Sequence, residues 1–319
     1  MNRHLGRGLA AARHHLRVAT NYDVPPLGPM LSSVEAAALI GGTIEAGRPA
    51  MIARFGANEL DATLRRFEMN KPASSLQKGW SFMRGRCGPF WWDDGVSTNM
   101  RILAGFFPAE PAELSRFGDL MLSCCREVDI LGSWLSGEAL LAPLMPNIRV
   151  VELEDIAPYV NEEPWSAHLE GRRVLVIHPF ESTIRAQYAR RELLFRDPSV
   201  LPAFDLLTLK AVQSRAGNPV PFRSWFDALD SMRNQMEEVE FDVALIGAGA
   251  YGFPLSAHVK RLGKISVHLG GALQILFGIR GRRWDERADH QRFFNPYWTR
   301  ASTNEGVPYQ GAVEGGSYW

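Results

Sequence analysis

The segment Arg54-Phe55-Gly56-Ala57-Asn58-Glu59 joins an apolar run, PAMIA, to a run with helical spacing, ELDATLRRF. Gly56 permits a tight exit from a strand, Asn58 is a good N-cap, and Glu59 then falls in the first helical turn. Arg54 carries a planar fork that grips a phosphate or orients a carboxylate in two-pronged fashion. Glu59 offers a base for a hydroxyl, or an oxygen ligand for a hard cation. A plainer reading stands beside these, in which Glu59 and Asp61 complement the positive end of a helix dipole.

Four more junctions of the same kind follow. In VIHPFEST, His178 closes an apolar run and Glu181, Ser182 and Thr183 open a helix, with Gln187 and Tyr188 about a turn further on. Free amides and hydroxyls at a helix start make an anion site. His178 fits a general base, a hydrogen-bond donor to a sugar or phosphate, or a structural histidine. In IGAGAYG, Gly247, Gly249 and Gly252 match a G-x-G-x-x-G pattern, with Tyr251 inside it. A dinucleotide site also wants an acid on the ribose roughly 20 residues later, and no Asp or Glu lies between Gly247 and Asp285. NAD is therefore not expected, although the glycines still let a ligand approach the backbone. HLGG supplies Gly270 and Gly271, and LGSWLSGE ends in Glu138. Arg280, Arg282 and Arg283 then form a basic cluster that fits either a diphosphate clamp or a solvated turn.

Such junctions need strands to present them. Apolar runs at 49–55, 128–132, 148–153, 173–178, 204–209, 241–247 and 264–269 read as strands. Several are continuous Val, Ile and Leu, as in strands buried on both faces. Helical patterns fall at 33–45, 58–68, 111–126, 182–194, 222–238, 254–262 and 272–277. The alternation predicts an α/β fold, a Rossmann-like and mostly parallel sheet flanked by helices. In such sheets ligands sit beyond the carboxyl ends of the strands, where all five junctions fall. Residues 71–99 and 293–319 are aromatic and Gly-rich, and read as long ordered loops that either close over a site or cover apolar surface. The expected organisation is a basic arm at 1–28, the α/β domain at 29–292, and a tail at 293–319 packed on it.

The chain has 319 residues, with 35 basic and 35 acidic side chains and 46% hydrophobic residues. That composition supports a sizeable core and argues against nucleic acid as a partner, which needs a basic face. Three cysteines, two of them adjacent, give no disulfide framework and fit a reducing, cytoplasmic setting. Residues 1–22 hold four Arg, three His and no acid. They read as a frayed terminus, or as an arm touching anionic lipid at the inner membrane.

The strand-RFG-x-x-E-helix unit resembles the start of the GT-D fold glycosyltransferases, whose motif reads Arg-Phe-Gly-Asp-Gly-Glu. DVALIGAGAYGFPLSAHVKRLGKISVHLGG resembles that family's second nucleotide-contacting βαβ unit. VIHPFESTIRAQY, LFGIRGRRWD and the ending VEGGSYW are similar to bacterial proteins assigned to surface-polysaccharide synthesis. The resemblance implies transfer of a sugar from a nucleotide-diphosphate donor to a glycan or lipid-linked acceptor. Glu59 and His178 would be catalytic. Arg54, Gly56, Asn58, Ser182, Thr183, Gln187, Gly247, Gly249, Tyr251, Gly270, Gly271 and Arg283 would hold the donor. In the family an Asp and a Glu help bind a divalent cation on the diphosphate. Here the Asp position is Ala57 and only Glu59 is kept, so Mn2+ or Mg2+ would need a further acid, from Asp61, Glu138 or Glu314. Without a metal, Arg54, Arg282, Arg283 and helix amides would carry the leaving charge.

Overall fold

All seven apolar runs become strands in the computed structural model, which describes residues 3–16 and 27–306, residues 3–5 by their backbone alone. They are β1 (Ala50–Ala53), β2 (Ile130–Ser133), β3 (Arg149–Glu152), β4 (Arg173–His178), β5 (Asp205–Lys210), β6 (Val243–Ile246) and β7 (Ile265–His268). Every pairing in this sheet is parallel, in the order β3-β2-β1-β7-β6-β4-β5. β1, β6 and β7 are buried at every residue, which is why they read as unbroken apolar runs.

The α-helices of five or more residues are α1 (Arg3–His15), α2 (Ser33–Ala46), α3 (Ala57–Asn70), α4 (Ser75–Met83), α5 (Asp94–Ile102), α6 (Pro111–Cys125), α7 (Glu181–Tyr188), α8 (Trp225–Glu237), α9 (Gly252–Arg261) and α10 (Ala272–Leu276). One face of the sheet carries α3, α5, α6, α8 and α9 in a core built around Phe117, Trp225 and Phe253. The other carries α2, α7, α10 and short helical turns within 153–169, around Ile40, Trp165 and Phe277. The chain leaves β1 and β6 for helices of the first face, and β4 and β7 for helices of the second. Across the central strands β1-β7-β6-β4 the exits therefore alternate between faces. Each alternation opens a crevice at the carboxyl edge, where an open parallel sheet binds its ligands.

Four expectations need correction. The arm is not frayed over its described part, because residues 3–15 form α1. Gly6 lets that helix sit on the Trp91 indole, with room for no side chain at all: an added Cβ would lie 2.6 Å from Trp91 Nε1. Arg13 covers the Phe82 ring at 4.7 Å, and Arg7 pairs with Asp94. Residues 71–99 are not one long loop but contain α4 and most of α5. Ser74 and Gln77 form a reciprocal capping box at α4, and the Asp93 carboxylate accepts the Val96 N–H at α5. The N-cap of α3 lies two residues earlier than expected. Gly56 is its N-cap in extended conformation, so Asn58 lies within the first turn. A helix expected over 182–194 ends at Tyr188 and continues as a tighter turn at Arg191–Leu193. A two-stranded ribbon, β8 (Ile279–Arg280) with β9 (Thr299–Arg300), ties the start of the tail to the domain.

Candidate active site

A cavity of about 180 Å³ opens at the carboxyl edge of β1, β7, β6 and β4. From β1 and α3 it takes Arg54, Gly56, Ala57, Asn58 and Glu59. From the β4 end it takes His178, from the β6 turn Gly247, Gly249 and Tyr251, and from the β7 turn His268, Gly270 and Gly271. Arg283 closes one side. Eleven of the fourteen sequence-selected residues thus meet in one space.

Glu59 is 8% exposed, and its carboxylate folds back over Gly56 so closely that a side chain there would collide with it. The glycine is what lets the acid turn inward. No hydrogen bond or ion pair joins the Glu59 carboxylate to any described residue. Arg54 lies against Gly270, where an added Cβ would come within 3.5 Å of its Nη1. Its guanidinium stands 5.2 Å from the Trp134 ring centroid, and Trp134 Nε1 donates to the Phe55 carbonyl at 2.9 Å. Behind Trp134, the buried Glu138 accepts from Ser133 Oγ at 2.5 Å and from the Trp134 amide at 3.2 Å. Burial pushes the Glu138 carboxyl pKa up, and those hydrogen bonds draw it back. Glu138 is a support for this wall and does not line the cavity.

The glycine pattern of the β6 turn has an internal explanation. An added Cβ would lie 2.6 Å from His178 Cδ2 at Gly247 and 3.1 Å from Arg215 Nη2 at Gly249, and at Gly252 would strike His268. Gly249 also has φ +56, which disfavours a side chain. The three glycines therefore make room for three of the chain's own side chains, His178, Arg215 and His268, all of which line the cavity. Tyr251 is committed as well: its ring stacks on Trp225 at 4.8 Å and its hydroxyl lies 3.1 Å from Ser214 Oγ. It anchors the 211–217 segment that brings Arg215 in.

Arg215 was missed from sequence because the turn after β5, KAVQSRAGN, is not glycine-rich at the strand end. Searching every strand end alike, without weighting for glycine, would have found it, and Gln213 with it. Trp134 and His268 lie in junctions that were selected, but neither was singled out there.

His178 is 4% exposed, and its Nδ1 accepts the Phe180 N–H at 3.0 Å. The proton of the neutral ring then belongs on Nε2. Burial, with the Arg215 charge adding to it, holds its pKa down at about 3. His178 is thus held neutral with Nε2 as its hydrogen-bond donor, which is the second of the roles expected for it. His268 is held neutral in the same way, by burial and by the Arg54 charge, also at about 3.

Three expected donor residues are elsewhere. The amides of Ser182 and Thr183 donate to the Glu305 carboxylate at 2.7 and 3.3 Å, and Thr183 Oγ1 donates to it too. The anion site at the start of α7 is filled by the chain's own acid. Gln187 is fully buried and donates from Nε2 to the Gly278 and Tyr297 carbonyls at 2.9 and 3.3 Å, a structural tie. Arg282 pairs with Glu286 on the surface, 2.9 Å away. None of residues 71–99 or 293–306 lines the cavity. Their aromatics cover apolar surface instead: Phe82, Phe90 and Trp91 make a small separate core, and Trp298 Nε1 donates to the Leu194 carbonyl at 2.8 Å.

The acids implied for a divalent cation do not assemble. Asp61 is held by Arg65 at 3.1 Å, Glu138 by Ser133 and Trp134, and Glu314 lies outside the described residues. Among the described residues no group of three His, Cys, Asp or Glu is placed to share a metal ion. One carboxylate among the guanidiniums of Arg54, Arg215 and Arg283 does not fit Mg2+ or Mn2+, which want several oxygen ligands. It fits an anion.

The chain matches no protein-family model and no curated protein. A solved structure described as "The highly conserved domain of unknown function 1792 has a distinct glycosyltransferase fold" is similar at 12% identity over 82% of each chain, with a TM-score of 0.34. A score that low adds nothing to what the residues of the cavity say by themselves. No helix among the described residues is long and apolar enough to cross a membrane.

Proposed function

We propose that the protein is a glycosyltransferase whose main cavity binds the diphosphate of a nucleotide-sugar donor. One observation carries the reading: Glu59, buried and without a protein partner among the described residues, shares a cavity with Arg54, Arg215 and Arg283. Guanidiniums and the backbone amides at the start of α3 suit a pyrophosphate, whose negative charge grows as the sugar leaves. In the transfer, the acceptor oxygen bonds the anomeric carbon and the bond from that carbon to the phosphate oxygen breaks. The electron pair leaves with the diphosphate, and Glu59 takes the acceptor's hydroxyl proton. His178, with hydrogen on Nε2, donates a hydrogen bond to the donor. The RFG-x-x-E resemblance supports the same chemistry, and the likeness of flanking segments to surface-polysaccharide proteins points to a glycan or lipid-linked acceptor.

Ala57, standing where the resembled family has Asp, favours a second reading in which the donor is bound and not turned over. Calorimetric titration with nucleoside diphosphates, with and without Mn2+, tests the binding. Affinity that does not depend on Mn2+ is expected, and no heat with any nucleotide would defeat the proposal. Donor hydrolysis measured for the native chain and for Glu59→Gln separates the two readings. Loss of turnover in a folded variant supports transfer, whereas no turnover by the native chain over a broad acceptor panel supports the second.

A further inference from the structure

One side of α4 is packed and the other is not. Inward, Phe82 is buried with its ring 5.0 Å from that of Trp91, and Gly79 faces α1, where an added Cβ would come within 3.7 Å of Leu9. Outward, Leu76 and Trp80 are 87% and 62% exposed. Spaced four apart, they share one stripe of the helix. Arg84 follows at the same spacing, and its guanidinium stands 4.4 Å from the Trp80 ring centroid. Leu76 is the most exposed large apolar side chain among the described residues. Single exposed apolar residues are ordinary, but a leucine and an indole together on one helix stripe, rimmed by cations, mark a surface that meets a partner.

The charge around this stripe has one sign. The chain balances 35 basic residues against 35 acidic ones, yet residues 71–92 hold Lys71, Lys78, Arg84 and Arg86 and no acid. The helix packed on α4, α1, adds three Arg and again no acid. The bordering acids are already matched, Glu68 by Lys71 and Asp93 by Arg65, each at 2.8 Å, and Asp94 by Arg7. Arg84 and Arg86 are exposed and form no ion pair with any described residue. Two unbalanced guanidiniums thus border an exposed indole and leucine.

We infer that this face of α4 docks the protein on an anionic bilayer, with Leu76 and Trp80 entering the interface and Arg84 and Arg86 meeting lipid phosphates. A bilayer surface offers both things the face needs, apolar chains for the leucine and negative charge for the arginines, within one headgroup layer. Indoles settle at headgroup level, where Arg84, held against the Trp80 ring, meets the phosphates at the same depth. Apolar insertion and cation attraction together give firmer attachment than either alone. A nucleic acid would take the arginines and stack on the indole, but has no apolar layer to cover Leu76. The docking face stands apart from the donor reading, since none of residues 71–99 lines the main cavity.

Vesicle flotation of the full chain tests it, with mixed phosphatidylcholine–phosphatidylglycerol vesicles, pure phosphatidylcholine vesicles and a single-stranded oligonucleotide as probes. Binding to the mixed vesicles is expected, with little to the pure ones, and it should fall as salt rises. Leu76→Ser with Trp80→Ser should weaken it at least tenfold through the lost apolar insertion. Arg84→Gln with Arg86→Gln should weaken it roughly twentyfold, about fivefold per charge. All four side chains are exposed, so both double variants should keep the native Tm. No binding to the mixed vesicles overturns the docking face, whether the chain then binds the oligonucleotide, itself or nothing. Vesicle binding that either double variant retains at native strength overturns it too, because another surface then carries the contact.

Discussion

The guanidinium of Arg54 stands over the ring of Trp134, 5.2 Å from its centroid, while Trp134 is pinned through Nε1 to the carbonyl of Phe55, the next residue after Arg54. A side chain at the end of β1 is thus aimed by an indole from the end of β2. A cation over an indole face is favoured electrostatically, and more so where water is partly excluded. Arg54 stays in the cavity wall rather than swinging into solvent.

Removing that charge should weaken nucleoside diphosphate binding. Arg54→Ala and Arg215→Ala are each expected to raise Kd roughly tenfold to a hundredfold, the worth of one charge-assisted contact. Trp134→Leu should give a smaller loss, because it frees Arg54 without deleting it. Calorimetry reads all three, and unchanged affinity in Arg54→Ala would contradict the diphosphate assignment.

The Glu305 carboxylate should hold the tail to α7. Glu305→Gln keeps the shape but loses the charge that accepts from Ser182 N, Thr183 N and Thr183 Oγ1. A loss of about 1–3 kcal/mol in denaturant unfolding is expected, with nucleotide affinity unchanged because Glu305 is outside the cavity. A drop in nucleotide affinity at full stability would reverse that assignment.

Acid should destabilise the fold through His178 and His268. Both are held near a pKa of about 3 in the native state, against an ordinary 6.5. Below about pH 6.5 the unfolded chain takes up two protons that the native chain refuses, so stability is complete above that pH and falls as pH drops. The slope is at most about 1.4 kcal/mol per pH unit for each histidine. Urea midpoints measured between about pH 7 and about pH 4 give the total, and His268→Phe should remove roughly half of it. A midpoint that stays flat over that range would show that neither ring is buried neutral.

Deleting residues 1–16 should lower Tm by several degrees. Trp91, 3% exposed, would lose the cover of α1, and uncovering part of an indole costs roughly 2 kcal/mol. This departs from the reading of residues 1–22 as a frayed terminus. An unchanged Tm would restore it.

The seven strands and the α/β class were legible because burial on both faces leaves unbroken Val, Ile and Leu runs that identify themselves locally. So were the strand-end positions of Arg54, Glu59 and the glycine turns, since strand ends of a parallel sheet share one edge. The capping box at Ser74 and Gln77 was equally readable, yet the aromatic character of residues 71–99 drew attention from it. What sequence could not carry was which groups were already spoken for. Ser182 and Thr183 look like a vacant anion site until Glu305, more than a hundred residues away, supplies the anion. Gly247, Gly249 and Gly252 look like a dinucleotide turn until His178, Arg215 and His268 occupy the space they leave. Periodicity and turn chemistry are properties of neighbours along the chain. Hydrogen-bond partners, burial and the placement of Arg215 depend on segments that only the crossovers of the sheet bring together.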